Sequence, residues 1–262
     1  MKLLLMAFVA VVVVPAALCG PAFGESGGEE GGGNLLDFPV KLSVNAEGTQ
    51  DAKETAGTIK VLLFFTVLSL VPALLLTMTS FTRIIIVLSF VRRALSLQNL
   101  PPNQLLIGIS LFMTAFVMAP VFGRINKLAI EPYMREEISQ REAFDAGLKC
   151  MREFMLRHTR EKDLGLFVSM AGIEPPETPE DVPTHVLVPA FATSELKTAF
   201  QMGFVIFLPF LVIDMVVSCV LTSMGMFMLP PVIISVPFKI LLFVLVDGWN
   251  LVIKSLAAGF LG

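Results

Sequence analysis

Charge is scarce in this chain. Asp, Glu, Lys and Arg make up 16% of its 262 residues while 55% are hydrophobic, against about a quarter charged and about half apolar in ordinary soluble domains. Such an excess needs a bilayer or a large partner surface to cover it. The apolar residues come in near-continuous runs of about the length of a spanning helix, roughly 20 residues, which argues against a soluble catalyst. With one Trp, one Tyr and 19 basic residues against 22 acidic, the chain has neither the stacking surface nor the positive field that nucleic acid requires. Cysteine is limited to Cys19, Cys150 and Cys219 and histidine to His158 and His185, too few for a disulfide framework or a common zinc cluster. No HExxH, GxSxG or phosphate-binding loop is present, and no paired carboxylates lie in the apolar runs. The reading is a non-enzyme with no catalytic residue, cofactor or metal.

The N-terminus carries Met1-Lys2, an apolar stretch over residues 3–18 interrupted by Pro15, and Ala22-Phe23-Gly24. This pattern reads as a cleavable signal peptide over 1–24. Cys19 invites a lipoprotein reading, but Leu18 before it fits a lipobox poorly. Residues 25–58 hold seven acids, two lysines and a glycine tract. That composition cannot bury enough apolar surface to offset chain entropy, so it reads as an exported disordered linker.

The remaining residues, 59–262, read as one helical domain, all-α and membrane-embedded, with about four long apolar helices. A first apolar segment covers 59–78 and is followed by a short piece, 84–91. As one helix, 59–91 would run about 50 Å, longer than a bilayer core, so a kink, a hairpin or an extension is required. A second span covers 105–122. The loop between them carries Arg83, Arg92 and Arg93 with no acid, a cytoplasmic positive cluster by the positive-inside rule. The linker and the charged segment 123–195 then lie outside. Within that segment Phe144, Leu148, Met151 and Met155 recur at helical spacing opposite Arg141, Lys149, Arg152 and Arg160. The pattern predicts an amphipathic helix that packs on the protein or meets a partner. Five prolines over 174–189 predict an extended connector. Thr193-Ser194-Glu195 then offers an N-cap for a helix over 196–225, and the last helix is expected over 238–261.

Between those two helices, residues 223–237 are uncharged and include Pro230, Pro231 and Pro237. A continuous helix conflicts with those prolines, so irregular backbone is expected. At membrane depth such backbone is tolerated only inside protein or along a water-filled path. Met224, Met226 and Met228 supply adaptable side chains around Gly225 and Phe227; a yielding seal and simple core filling are both open. Asp214, Lys239 and Asp247 interrupt the apolar helices, each at a cost of about 2.5–3.5 kcal/mol if unpaired at a helix centre. Lys239 is the natural partner of either acid, and a proton path is the alternative. No internal repeat is found, which weakens a solute or ion transporter reading without removing it.

Five stretches, TMTSFTRIIIVLSFVRRALSLQNLPPNQ from Thr77, MREFMLRHTREKDLGLF from Met151, TSELKTAFQMGF from Thr193, SMGMFMLPP from Ser223 and PFKILLFVLVDGWNLV from Pro237, resemble the FliP/SctR family of type III export gates. The resemblance covers about residues 58–262. The signal peptide and acidic extension favour the flagellar branch over the injectisome branch. The resemblance implies a ring of five copies with FliQ and FliR in the inner membrane at the flagellar basal body, part of it on the periplasmic side, with FlhA and FlhB nearby. Unfolded flagellar subunits would pass outward through it. It also implies a pore gasket at Met226, Phe227 and Met228, flanked by Met224, Gly225, Pro230 and Pro231. Here Phe227 interrupts the methionine run, and an aromatic ring is bulkier and less flexible than Met.

Overall fold

A computed structural model describes residues 62, 65, 66, 69, 70, 72, 73, 76–97, 100–174, 176, 178–226 and 229–261. The expected signal peptide and acidic linker lie outside the described residues, as do Phe227 and Met228. The chain divides into two units, Met1–Pro72 and Ala73–Gly262. In the first, the described residues are helical. The hydroxyls of Thr66 and Ser69 donate to the carbonyls of Leu62 and Thr66, each at 2.8 Å, so these polar groups are satisfied within an apolar helix.

The second unit is helical, with no strand among the described residues: α1 Phe81–Ala94, α2 Asn103–Ile125, α3 Glu131–Met134, α4 Gln140–His158, α5 Glu161–Met170, α6 Thr184–Ser223, α7 Pro231–Leu245 and α8 Gly248–Leu261. The all-α class expected from the sequence is borne out. A wide turn at Asn126–Ile130 joins α2 to α3, so that Asn103–Met134 forms one 32-residue run. That run and the 40-residue α6 are long and apolar enough to cross a membrane, and α7 with α8, bent by 63°, form a third candidate.

The core is built around α1. Ile84, Val87, Leu88 and Val91, at i, i+3, i+4 and i+7, are completely buried, the stripe expected of a helix enclosed by others. Packing brings α1 mainly against α6, and α2, α4, α5 and α7 complete the group. α1 and α6 run in the same direction. Arg83 meets Glu195 at one end, Phe90 meets Phe200 in the middle with ring centroids 5.3 Å apart, and Ser96 shares Lys239 with Asp214 at the other. Gly203 faces the Phe90 ring so closely that a Cβ there would overlap it. The 95–102 loop and the loop after α6 therefore lie at one end of the unit. α4, α5 and the C-terminal turn lie at the other.

The break that the length of 59–91 called for is a turn at 78–80, ahead of α1. Several other expectations are corrected. The proline-rich connector ends at Pro183, which caps α6 with φ −59°. Pro189 is absorbed into the helix at the cost of one hydrogen bond, that to the His185 carbonyl. Thr193, Ser194 and Glu195 lie well inside α6 rather than at its start, because the latter two are occupied by Asp163 and Arg83. The helix expected over 238–261 is broken at Val246 and Asp247. In α4 the buried face is Cys150, Phe154 and Met155, while Phe144 is 69% exposed.

Among the described residues, positive φ occurs at Ser96, Glu136, Gly172, Gly225 and Asp247. Each directly follows the C-cap of a helix. A left-handed residue there lets the next amides turn back onto the last carbonyls. Ser96 and Glu136 carry a side chain in a conformation that costs roughly 1–2 kcal/mol for an L-residue.

Candidate gate loop and the charge pairs that brace it

α6 ends in two reversed bonds, Met226 N–H to the Leu221 carbonyl and Gly225 N–H to the Thr222 carbonyl, both 3.0 Å. With Gly225 at φ 75° this is a Schellman ending, which satisfies two of the helix's orphan carbonyls. α7 begins at once on the other side. Pro230 is its N-cap and Pro231 its first residue, where a missing N–H costs nothing and the ring presets φ. Among the described residues the non-helical stretch is thus 224–226 and 229–230, and 231–237 belong to α7. Pro237 lies inside α7, where it forfeits only the bond to the Ile233 carbonyl. Met224 is 67% and Met226 39% exposed in the single chain, and Leu229, Pro230 and Gly225 are exposed too. The loop offers no charge and no ligating cluster, and none of three or more His, Cys, Asp or Glu exists among the described residues. Its chemistry is that of an adaptable apolar surface.

About two helical turns from the loop lies a charge pair. Lys239 Nζ is 2.6 Å from Asp214 Oδ2 and donates to Ser96 Oγ at 2.7 Å. Ser235 Oγ donates to the other Asp214 oxygen at 2.5 Å. The Lys239 side chain is 1% exposed and that of Asp214 29%. Asp214 is wetted from a groove of about 800 Å³ that also touches Ser218, Cys219, Thr222 and Pro231. This arrangement ties α1, α6 and α7 together beside the loop, and it places the left-handed Ser96 where its hydroxyl reaches the ammonium. Asp247 is elsewhere. It forms the exposed elbow between α7 and α8, and its carboxylate accepts from Asn250 at 2.9 Å. Gly248 follows because a Cβ there would overlap the Phe243 ring.

The expected positive cluster divides. Arg93 is exposed and Arg92 donates to the Pro101 carbonyl at 3.3 Å and to Asn103 Oδ1 at 2.5 Å, both at the loop end. Arg83 is buried at the opposite end. It grips Glu195 with two N–H groups, one at 2.8 Å, donates to the Gly259 carbonyl at 3.0 Å, and lies 3.8 Å over the Phe260 ring. Sequence reading counted Arg83 as a loop charge because its partner is 112 residues away.

The segment 123–195 is fastened to α6 by further polar groups. Arg152 donates to Thr184 Oγ1 (2.7 Å) and to the carbonyls of Glu180 (2.7 Å) and Val182 (2.6 Å), holding the connector at the start of α6. Ser194 Oγ receives the Arg160 amide at 3.0 Å and donates to Asp163 at 2.9 Å, while Lys197 pairs with the same carboxylate. The Lys197 hydrogen bond, with help from Ser194, holds the Asp163 carboxyl below the usual range despite its burial. α4 starts with a capping box, Ser139 and Glu142 bonding each other's amides, and those bonds lower the Glu142 carboxyl as well. The S-x-x-E spelling of that box is legible in sequence. The partners of Arg83, Arg152 and Asp163 are not, since hydroxyls and carbonyls far along the chain supply them.

Residues 64–256 match the family described as the FliP family. Among curated proteins the chain is similar to flagellar biosynthetic protein FliP of Bacillus subtilis, 57% identical over 83% of this chain and 98% of that protein. It is 55% identical to the Pectobacterium carotovorum protein of the same name over 78% of this chain and 79% of that one. The FliP of Aquifex aeolicus is 46% identical over 85% and 91%.

Proposed function

The chain belongs to the FliP family, and on that premise we propose that it is a subunit of the flagellar export gate, a ring of five copies joined by FliQ and FliR. It is a membrane component of the flagellar export apparatus. In the proposed assembly FlhA and FlhB stand nearby, the ring sits in the inner membrane at the basal body, and unfolded flagellar subunits pass through its centre. Arg92 and Arg93, at the gate-loop end, favour an orientation with that end toward the cytoplasm by the positive-inside rule. α4, α5 and the C-terminal turn then lie on the periplasmic side.

The single observation that carries the reading is the loop itself, seven uncharged residues between two apolar helices, with Met224 and Met226 uncovered. Backbone of that kind is stable at membrane depth only against protein or a water-filled path. A ring supplies both. Large apolar residues also remain exposed along α6 and α7, among them Phe204, Val216, Ile233 and Val244, and these need lipid or neighbouring subunits over them. In this reading Met226, Phe227 and Met228 of each copy close the passage to ions and yield to a polypeptide. The work is mechanical, with no bond made or broken.

The test is ion leak across the inner membrane of cells carrying the assembled complex with Met226, Phe227 and Met228 all replaced by Gly. Leak should rise while the complex still assembles. Unchanged conductance would remove the gasket assignment, and solute transport by the isolated chain would favour a transporter instead.

A further inference from the structure

The end opposite the gate loop contains a titratable group that the proposed export role leaves unused. His158 closes α4, is partly buried, and donates from Nδ1 to the Phe154 carbonyl at 2.9 Å. Its ring centroid is 4.7 Å from that of Phe154 and 5.2 Å from that of Phe260. Phe260 belongs to the last turn of α8 and is 7% exposed. Its ring is also the one that Arg83 covers, and the neighbouring Gly259 carbonyl accepts from Arg83 at 3.0 Å. The C-terminal turn is therefore docked between a guanidinium and an imidazole.

We propose that His158 is a pH-sensitive latch for this turn: the neutral imidazole lets Phe260 dock, and protonation releases the end of α8 from α4 and Arg83. The charged groups that act on the imidazole are Arg83 from α1 and Arg157 from its own helix, and Arg83 is itself engaged by Glu195 from α6. Among the described residues α8 contributes the Phe260 ring and carbonyl. An imidazolium here gives up hydration and faces two cations with the one acid committed elsewhere. Burial comes first among the causes that hold His158 below the ordinary histidine value, with Arg83 and Arg157 adding to it. The carbonyls of Phe154 and Phe260 pull the other way and do not outweigh them. Undocking wets the ring and removes the penalty, so protons favour the undocked state. Each unit of difference between the docked and undocked pKa changes the docking equilibrium about tenfold between those two values.

Which compartment's acidity is sensed rests on the proposed function. If α4 lies on the periplasmic side, the latch reads the outer pH.

The test uses the full chain in its purified complex, with 4-fluorophenylalanine at position 260 read by fluorine NMR and the two histidines followed by proton-carbon NMR, His185→Gln identifying His158. Between pH 8 and 5 the fluorine signal should move with a midpoint below 6.5, together with the His158 resonance. His158→Phe, which keeps an aromatic ring, should hold the fluorine signal at its high-pH position, and His158→Lys should hold it at the low-pH position at every pH. The same pH response in His158→Phe would overturn the proposal. So would an unmoved Phe260 signal while His158 titrates, or tighter docking on acidification. Should His158→Phe fail to assemble, His158→Gln and the wild-type titration decide alone. In cells, fluorescence of a C-terminal pH-insensitive reporter, quenched by a membrane-impermeant reagent at external pH 5.5 and 7.5, tests the side. No quenching at either pH alongside a clean titration in the purified complex would overturn the periplasmic placement and leave the latch standing.

Discussion

Replacing Lys239 by Met and Asp214 by Asn should produce unequal damage, and the inequality follows from solvent access. Breaking one side of a buried pair typically costs about 3–5 kcal/mol, because a charge is left without compensation. After Lys239→Met the stranded group is Asp214, whose side chain is 29% exposed and keeps the Ser235 hydroxyl at 2.5 Å. Groove water and that hydroxyl bring the expected loss down to about 2–3 kcal/mol. After Asp214→Asn the stranded group is the Lys239 ammonium, 1% exposed and left with Ser96 and a neutral amide. The full penalty then applies, about 3–5 kcal/mol. The double variant has no stranded charge and should come within about 1 kcal/mol of the starting protein, since a buried pair contributes little net stability. Unfolding of the purified chain in mild detergent, followed by the single Trp249, measures all three variants. A larger loss in Lys239→Met than in Asp214→Asn, or a double variant no better than the worse single, would refute this account of the pair.

Gly225→Val should fray the end of α6, since a β-branched residue at φ 75° costs about 1–2 kcal/mol and no neighbouring atom lies close enough to confuse the effect with a clash. Gly225→Asn, which tolerates that conformation, should retain export of a flagellar reporter that Gly225→Val reduces. Gly203→Ala forces a methyl group onto the Phe90 ring and should destabilise by about 1–3 kcal/mol, with Phe90→Ala restoring part of the loss in a double variant; equal losses with and without the Phe90 ring would exclude the clash. Asp163 has its folded-state pKa depressed by Lys197, so its contribution is complete above the unfolded value of about 3.9 and disappears as pH falls through the folded one. Thermal unfolding from pH 5 to pH 2.5 should show a steeper acid limb in the wild type than in Asp163→Asn.

The apolar runs, the capping box at Ser139 and the helix-ending role of Gly225 are all visible in the sequence because each is a local pattern. Pro230 and Pro231 were legible as a break for the same reason. Pro189 and Pro237 misled, because a proline inside a well-packed helix costs one hydrogen bond that tertiary contacts can offset. The α4 stripe read from the sequence includes Phe144 because bulk suggests burial, whereas the face that packs carries Cys150, Phe154 and Met155. Residue type and charge signalled a partner for Lys239. Nothing local pointed to Ser96, whose hydroxyl reaches the ammonium from 143 residues away, or to Glu195 as the partner of Arg83.

The uninterrupted 40-residue helix α6 measures about 60 Å from end to end at 1.5 Å per residue. Its first turns are clamped by Arg83, Arg152 and Asp163, and its last turn leads into the loop that holds Met224 and Met226. A tilt of about 5° at the clamped end displaces the far end by about 5 Å, one helical pitch. A small rearrangement at the clamped end is thereby geared up, through one stiff element, into a displacement of the loop at the opposite end.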